Sequence, residues 1–324
     1  MDRPTILVTG GAGYVGSHAC KALSRAGWLP VAFDNLLHGH AEAVKWGPLE
    51  CGDILDWARV DEVIKSHQPI AAMHFAALTS VAESVADPEA YRRNNIEGSR
   101  TLLRALLENG VTHFVFSSTA AVYGTPDKVP IPEDAPTSPI NPYGETKLAV
   151  EAMLEELVQE QGLTATALRY FNAAGADPDG EIGENHDPET HLIPLALAAA
   201  SGTGKALTLY GDDYPTPDGT CVRDYIHVSD LAAAHVAALQ HGAGFRAFNL
   251  GTGAGASVRQ VLDTVEQVTG QAVPHWIGSR RPGDPAELVA DPSRAFVELD
   301  WRPRTSDLDN IVRTAWSWHQ VRSA

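Results

Sequence analysis

The chain has 324 residues, of which 44% are hydrophobic and 20% charged. Its length favours two domains over one, and its composition excludes a low-complexity or collagen-like polypeptide. The formal charge of −17 at pH 7 disfavours binding to nucleic acids and to anionic membrane surfaces, because both repel an acidic protein.

Short apolar runs alternate with longer amphipathic stretches in the first half of the chain, which is typical of βαβ units that build a parallel sheet. The predicted strands are 4–9, 30–34, 70–76, 112–118 and 164–170, and the predicted helices are 14–26, 56–67, about 88–109 and 144–161. Glycines follow three of these helices, and a proline follows the fourth. This half therefore predicts an α/β fold with a Rossmann-type, doubly wound parallel sheet.

The alternation becomes irregular after Asn172, where two turn-rich segments occur at 175–190 and 211–219. Later elements are predicted as helices near 192–201, 229–240, 257–269 and from about 307, and as strands at 206–210 and 245–250. We therefore predict a sheet domain over 1–172 and a smaller α/β domain over 173–324. Some segments of the second domain are expected to pack back on the first.

A glycine-rich loop follows the first strand and precedes a helix, with glycines at Gly10, Gly13 and Gly16. Such glycines allow a tight turn and let the backbone approach a pyrophosphate at the helix start. Asp34 ends the second strand and can bind both ribose hydroxyls, but it repels a 2′-phosphate, which favours NAD over NADP. Asp53, at a strand end, is expected to face the adenine ring, with a simple strand-end cap as the alternative.

A second glycine-rich stretch, 251–255, also follows a strand and precedes a helix. It is interpreted mainly as a turn at the start of that helix, with direct ligand contact as the alternative.

Tyr143 and Lys147 are four residues apart at the start of a predicted helix, so both side chains lie on one face. Thr119 ends the preceding strand, at the sheet edge where such folds bind ligands. A neighbouring ammonium group and a positively charged nicotinamide would both stabilise the Tyr143 phenolate, and the Thr119 hydroxyl could pass a proton to it. The structural alternatives are a tyrosine at a helix start, a solvated lysine and a threonine in a turn.

The three cysteines are too few and too scattered for a disulfide framework, and no C-x-x-C or H-E-x-x-H spacing predicts a metal site. The first strand begins without a preceding apolar leader, and no run of about 18 apolar residues occurs. These features predict a cytoplasmic protein without a dedicated metal site.

The motifs together resemble the extended short-chain dehydrogenase/reductase superfamily and, within it, the UDP-hexose 4-epimerases of the UDP-glucose/UDP-galactose type. The resemblance covers nearly the whole chain and is carried by segments 9–18, 34–35, 52–54, 74–77, 117–124, 143–147, 169–172, 211–216, 218–228 and 280–284. The first-half motifs occur throughout the superfamily. The block at 211–228 is specific to sugar-nucleotide epimerases.

The resemblance implies an NAD-dependent, reversible 4-epimerisation of a UDP-sugar. The C4 hydroxyl would lose its proton to Tyr143, assisted by Thr119, while its hydride moves to tightly bound NAD. The transient 4-keto sugar would then turn over and take the hydride back on its other face, which regenerates the cofactor. The resemblance also implies a homodimer formed through the helices near 88–109 and 144–161.

The implied binding residues divide between the two predicted domains. The first contributes the NAD-binding residues Gly10, Gly13, Tyr14, Val15, Gly16, Asp34, Asn35, Asp53, Ile54, Phe75, Ala76, Ala77, Tyr143, Lys147 and Tyr170. The implied UDP-sugar contacts are Thr119, Tyr143, Asn172, His191, Leu192, Tyr210, Arg223, Arg281 and Asp284. Among these, Arg223 and Arg281 would bind the diphosphate and Asp284 the uridine ribose.

Several positions depart from the usual epimerase pattern. Thr119 replaces a serine, Thr79 replaces a lysine near the NAD ribose, and His191 occupies a position often held by asparagine. Leu288 falls near a pocket-wall position that is tyrosine in strict glucose/galactose enzymes, so N-acetylated sugars and pentoses such as UDP-xylose or UDP-arabinose stay open.

The motifs leave three alternatives to a 4-epimerase. Related 4,6-dehydratases have Asp-Glu after the threonine where this chain has Ala120-Ala121, which argues against elimination. A net reductase or dehydrogenase and a non-catalytic dinucleotide sensor are the remaining alternatives.

Overall fold

A seven-stranded parallel sheet forms the centre of the computed structural model, which describes residues 3–281 and 283–323. The elements of the first half are β1 (Thr5–Thr9), α1 (Tyr14–Arg25), β2 (Leu29–Asp34), β3 (Leu49–Cys51), α2 (Trp57–His67), β4 (Ala71–His74), α3 (Val81–Ala86), α4 (Pro88–Tyr91), α5 (Gly98–Glu108), β5 (His113–Thr119), α6 (Pro142–Gln161) and β6 (Thr164–Tyr170). A π-helical turn, Arg92–Glu97, joins α4 to α5, and 3₁₀ turns occur at Ala41–Ala43 and Ala120–Tyr123.

The second half contains shorter elements. They are β7 (Asn172–Ala174), α7 (Leu192–Ala200), β8 (Leu207–Tyr210), β9 (Val222–Arg223), β10 (Tyr225–His227), α8 (Val228–Ala238), β11 (Phe245–Leu250), β12 (Ala256–Ser257), α9 (Val258–Thr269), β13 (His275–Gly278), β14 (Glu287–Leu288), α10 (Ser293–Glu298) and α11 (Leu308–Ser323).

The large sheet has the strand order β11-β6-β5-β4-β1-β2-β3. Strand β1 pairs in parallel with both β2 and β4, so the chain reverses its direction of winding at β1. The predicted doubly wound parallel sheet is therefore confirmed, including all five predicted first-half strands. Strand β3 was predicted only through the strand end assigned to Asp53, α3 was not predicted, and the predicted helix at 88–109 contains the π-helical turn.

Both faces of the sheet are buried. Successive side chains of each strand point to opposite sides, so each face contributes to its own apolar core. Leu7 and Phe114 belong to the apolar core beneath α2, α5 and α6. Their neighbours Ile6, Val8 and Val115 belong to the opposite core, which α1 and α8 cover. This packing fixes the carboxyl ends of the strands at one edge of the sheet.

Two segments of the second half return to the large sheet. Strand β11 pairs in parallel with β6, and α8 shares the core of α1 through buried leucine and alanine side chains. A separate apolar core lies among α7, α9, α11 and the short strand pair β8–β13. The division at residue 172 stays a prediction, since the chain crosses between the two cores several times.

No helix in the described ranges combines the length and the apolar character needed to cross a membrane.

Candidate active site

The loop after β1 is shaped by its glycines. Gly10 has a positive φ of 72°, and a Cβ there would lie 2.6 Å from the backbone nitrogen of Ala76. A Cβ on Gly16 would lie 2.1 Å from the carbonyl oxygen of Gly10. A side chain at Gly10 would therefore force the loop away from the segment after β4, and one at Gly16 would force it away from the start of α1.

The start of α1 fits the pyrophosphate of a dinucleotide. Gly13 precedes the helix without a side-chain hydrogen bond to its free amides, and the first turn carries no acidic residue. The backbone N–H groups of Tyr14 and Val15 are among the amides that have no partner within a helix. These open donors and the positive end of the helix dipole favour a bound anion.

Asp34 is held firmly at the carboxyl end of β2 and is almost buried. Its Oδ2 accepts a hydrogen bond from the Ala12 amide at 3.0 Å, and its Oδ1 accepts one from the Leu36 amide at 2.9 Å. Each oxygen keeps a lone pair, so the carboxylate can still accept two ribose hydroxyls. The acceptor oxygens of Asp34 and the glycine loop together fit a dinucleotide without a 2′-phosphate.

The prediction that Asp53 ends a strand is wrong, because β3 ends at Cys51. Asp53 Oδ1 accepts the Leu55 amide at 2.9 Å, and its Oδ2 accepts a hydrogen bond from Asn35 at 3.2 Å. The carboxylate therefore caps a turn and steadies Asn35, while Ile54 packs against Gly98. The adenine contact predicted for Asp53 stays a prediction.

The strand ends beside β1 carry the next group of predicted cofactor residues. The Phe75 and Ala76 amides both donate to the Thr9 carbonyl oxygen, at 2.9 and 3.1 Å, which brings the segment 75–77 to the glycine loop. The Tyr170 hydroxyl lies 2.5 Å from Ser117 Oγ at the neighbouring strand end. Burial raises the pKa of Tyr170 to about 12, so its hydroxyl stays protonated and can donate a hydrogen bond.

The predicted catalytic residues meet where β5 faces the start of α6. Asn141 caps α6 through its Oδ1, which accepts the Gly144 amide at 2.8 Å. Lys147 Nζ donates to the Ser117 carbonyl oxygen at 2.8 Å and lies 5.9 Å from the centre of the Tyr143 ring. Thr119, at the end of β5, lies near enough to Tyr143 for its side chain to lower the pKa of the phenol. The structure thus brings the three side chains together.

Burial dominates the ionisation of this group. It raises the pKa of Tyr143 above its usual range, the nearby Tyr170 adds to the increase, and the side chain of Thr119 opposes it. Burial lowers the pKa of Lys147 to about 7, against the opposing effect of Glu151. The low pKa predicted for Tyr143 is thus not a property of the chain alone. It requires a further positive charge near the phenol oxygen.

A buried polar network behind the predicted catalytic group was not found by sequence analysis. Glu151 forms an ion pair with Arg169 at 2.5 Å, and its other oxygen accepts a hydrogen bond from Ser118 at 2.5 Å. Arg169 also donates to the Tyr123 hydroxyl at 2.9 Å, which in turn donates to Asn249. These contacts fix the strand end that carries Thr119. The i, i+4 spacing of Lys147 and Glu151 was the available sequence signal.

A second unpredicted contact holds the segment after β4. Asn95 lies in the π-helical turn, where its Oδ1 accepts the Leu78 amide at 2.8 Å and its Nδ2 donates to the Leu78 carbonyl at 3.0 Å. The same amide nitrogen donates to Thr146 in α6 at 3.0 Å. Asn95 therefore links this segment to the helix of Tyr143 and Lys147. No sequence motif marks this role.

The predicted UDP-sugar residues fall into small groups in the second half. Arg223 in β9 forms an ion pair with Asp284. The Arg281 guanidinium stacks over the Tyr210 ring at 3.9 Å. Asn172 begins β7, and its amide donates to the backbone of Asp224, next to Arg223. Cations and a stacking surface therefore lie close together, as a nucleoside diphosphate requires.

His191 directly precedes α7 and makes no side-chain hydrogen bond to it, and Leu192 is the first residue of that helix. Burial lowers the pKa of His191, but hydrogen bonds to Glu184 and Glu189 outweigh this effect and raise it to about 10. Leu288 in β14 packs against the buried cluster around the 3₁₀ turn that follows Thr119. It therefore lies between the strand of Arg223 and the catalytic group.

The second glycine-rich stretch binds an internal carboxylate. The Asp224 carboxylate accepts hydrogen bonds from the Thr252 and Gly253 amides at 2.8 and 3.0 Å. A Cβ on Gly251 would lie 2.5 Å from Asp224 Oδ2. Ser257 precedes α9 and forms a capping box with Gln260 at the start of that helix. The interpretation of 251–255 as a turn at the helix start is confirmed.

Comparison with known proteins gives concordant results. Residues 6–251 match the model of the NAD dependent epimerase/dehydratase family. A UDP-glucose 4-epimerase of Rhizobium leguminosarum bv. trifolii is 52% identical over 322 residues, which cover 98% of each chain. A crystal structure of the UDP-glucose 4-epimerase from Brucella ovis in complex with NAD is 51% identical, covers 97% of each chain and superposes with a TM-score of 0.95.

A UDP-glucose-4-epimerase from Stenotrophomonas maltophila, with bound NAD and formylated UDP-arabinopyranose, is 43% identical, covers 99% of each chain and has a TM-score of 0.96.

Proposed function

Since this chain belongs to the NAD dependent epimerase/dehydratase family, we propose that it catalyses the reversible 4-epimerisation of UDP-glucose and UDP-galactose with bound NAD. The observation that carries the proposal is the meeting of Thr119, Tyr143 and Lys147 at the carboxyl edge of the sheet, beside the glycine loop. Relatives that are about half identical over the full length bear the same activity in their names.

The chain's own residues handle the proton of the sugar. Tyr143 accepts the proton of the C4 hydroxyl, and the hydroxyl of the nearby Thr119 connects the two oxygens. Lys147 keeps a donor beside the phenol and is itself oriented by the Ser117 carbonyl. Returning the same proton at the end of the cycle requires no other acid, so one group serves both directions.

The dinucleotide would lie along the glycine loop, with its pyrophosphate at the start of α1 and its adenosine ribose on Asp34. When bound, NAD supplies reversible hydride acceptance at the sugar C4. Its positive charge also provides what Tyr143 lacks in the chain alone, since burial keeps the pKa of this phenol high.

Arg223, Arg281 and Asp284 would hold the UDP portion, and the sugar would stay free to turn between its two faces. Arg223 and Asp284 already form an ion pair, so the nucleotide would enter a site whose charges are oriented in advance. Leu288 leaves more room in the pocket wall than a tyrosine would. UDP-N-acetylhexosamines and UDP-pentoses are therefore the second class of substrate to test.

Elimination of water from the sugar is disfavoured, because a dehydratase needs acidic groups next to its threonine. Here Ala120 and Ala121 follow Thr119 and form the 3₁₀ turn. A net dehydrogenase would release its reduced dinucleotide in every cycle, which gives a direct way to separate it from an epimerase.

The decisive experiment incubates the purified protein with UDP-glucose and follows UDP-galactose without an added oxidant, beside UDP-N-acetylglucosamine and UDP-xylose. Tyr143→Phe is expected to lower turnover by about two to four orders of magnitude. Thr119→Val should also lose activity, whereas the matched Thr119→Ser, which keeps the hydroxyl, should retain it. Stoichiometric accumulation of NADH, or near-normal turnover of Tyr143→Phe, would contradict the proposal.

We also propose that the protein works in the cytoplasm, in galactose metabolism, as a homodimer. An open groove of about 490 Å³ runs between α5 and α6, lined by Leu103, Leu107, Met153 and Leu157 and bordered by charged side chains. Pairing of this face with its copy in a second chain would bury these apolar side chains and form a four-helix contact.

A further inference from the structure

We propose that Glu184, His186, Glu189 and His191 bind one divalent transition-metal ion of the zinc type. The proposal goes beyond the epimerase reaction, and nothing in that chemistry requires it. Each residue offers one ligand atom, and these four atoms lie within 4.8 Å of one another. Two imidazoles and two carboxylates form a ligand set that zinc accepts, and the two carboxylates balance its charge.

Three of the separations within the cluster can be compared with those around a tetrahedral ion. His191 Nδ1 lies 2.7 Å from Glu184 Oε1 and 2.8 Å from Glu189 Oε1, and His186 Nδ1 lies 3.2 Å from Glu184 Oε1. Ligands at about 2.1 Å from a tetrahedral ion lie about 3.4 Å from one another. An ion at the centre would therefore replace these hydrogen bonds and move the three atom pairs apart by about 0.2 to 0.7 Å.

The backbone around the cluster is held in place by α11. Trp318 donates its indole N–H to the Glu184 carbonyl at 2.9 Å, and a Cβ on Gly183 would lie 2.5 Å from the Trp318 ring. Ile182 is buried. Glu184 is thus a buried ligand on a backbone segment that contacts α11, while the backbone of His191 is placed by the start of α7. A site of this kind is formed before an ion arrives.

The other acidic cluster of the described segment provides a contrast. Asp177, Asp179 and Glu181 also lie together, but Lys21 Nζ contacts all three carboxylates at 2.5, 2.8 and 2.5 Å. An ammonium group already occupies the position that a cation would take. At Glu184 the facing groups are imidazoles, which bind metals as well as protons. Of these two clusters, only the one with Glu184 is therefore proposed as a metal site.

The cluster lies between the two predicted binding regions. The His186 ring meets the Tyr14 ring edge to face at 6.3 Å, at the start of the helix that follows the glycine loop. His191 directly precedes Leu192 of the predicted nucleotide pocket. A bound ion would therefore fasten the segment 182–191 against both regions. The spacing E-x-H-x-x-E-x-H differs from C-x-x-C and H-E-x-x-H, so the sequence motifs alone do not predict a site here.

The test measures zinc bound to the full-length, untagged protein after treatment with EDTA, addition of Zn²⁺ and gel filtration. We expect one zinc per chain by mass spectrometry, and visible absorption bands of tetrahedral Co²⁺ when cobalt is used instead. The His186→Ala/His191→Ala variant should lose both signals. The matched His38→Ala/His275→Ala variant removes two exposed histidines outside the cluster and should keep them.

Glu189→Gln provides a third variant that keeps the shape of the side chain, and circular dichroism checks that each variant is folded. This variant should bind zinc at least tenfold more weakly. Zinc retention in the folded double variant, equal loss in the matched control, or no stoichiometric zinc in the parent protein would each overturn the proposal. Epimerase activity without zinc would leave the proposed function intact, so the two proposals fail separately.

Discussion

Replacing Lys147 by Met is expected to change how the free energy of unfolding depends on pH. Burial lowers the pKa of Lys147 from 10.5 to about 7 in the folded protein. Between these two values the unfolded chain binds more protons than the folded one, so stability rises with pH. The part of the stability that depends on Lys147 is fully present above its unfolded pKa of 10.5 and is lost as the pH falls towards its folded pKa of about 7. The Met variant lacks this contribution.

The expected size follows from the shift. One pKa unit corresponds to about 1.36 kcal/mol, so the parent protein should gain about 2 kcal/mol relative to the variant between pH 7 and pH 9. At pH 7 the Met variant should be the more stable of the two. Its advantage is reduced by the loss of the hydrogen bond from Lys147 to the Ser117 carbonyl. A lysine buried in this way lowers the stability of the folded protein, as is common for residues kept for function.

The assay is urea denaturation at pH 7, 8 and 9 with the same saturating NAD concentration for each protein. Lys205→Met, which removes an exposed lysine, is the matched control and should follow the pH dependence of the parent. Parallel stability curves for the parent and Lys147→Met would refute the reasoning. They would mean that the lysine is solvated in the folded protein, or that it keeps its ordinary pKa there.

Two further predictions concern packing. Glu151→Gln leaves the Arg169 guanidinium buried without a counter-charge, so we expect the unfolding free energy to fall by about 3–5 kcal/mol in urea denaturation. Adding Arg169→Gln should recover part of this loss, and strictly additive losses would argue against the coupling. Leu157→Glu places a charge in the groove between α5 and α6, so it should shift a dimer towards monomer in analytical ultracentrifugation; an unchanged dimer would place the contact elsewhere.

The parallel sheet was predictable because its signals are local. A buried strand is a short apolar run, and the turn from β1 to α1 needs glycines that are close in sequence. Tyr143 and Lys147 were found for the same reason, since four residues make one turn of a helix. The contacts of Asn95 and Arg169 were missed, because their partners are distant in the chain and carry no spacing rule.

Sequence by itself determined five strands of the parallel sheet, the loop that fits a pyrophosphate, the carboxylate of Asp34 and the placing of Tyr143 and Lys147 on one helical face. Tertiary structure alone decided how these groups are charged. Burial sets the pKa of Tyr143 and Lys147, and burial depends on which segments cover a side chain. It also decided that Lys21 neutralises one acidic cluster while two histidines face the other. The physical reason is that charge and burial depend on distances through space, which the order of residues does not contain.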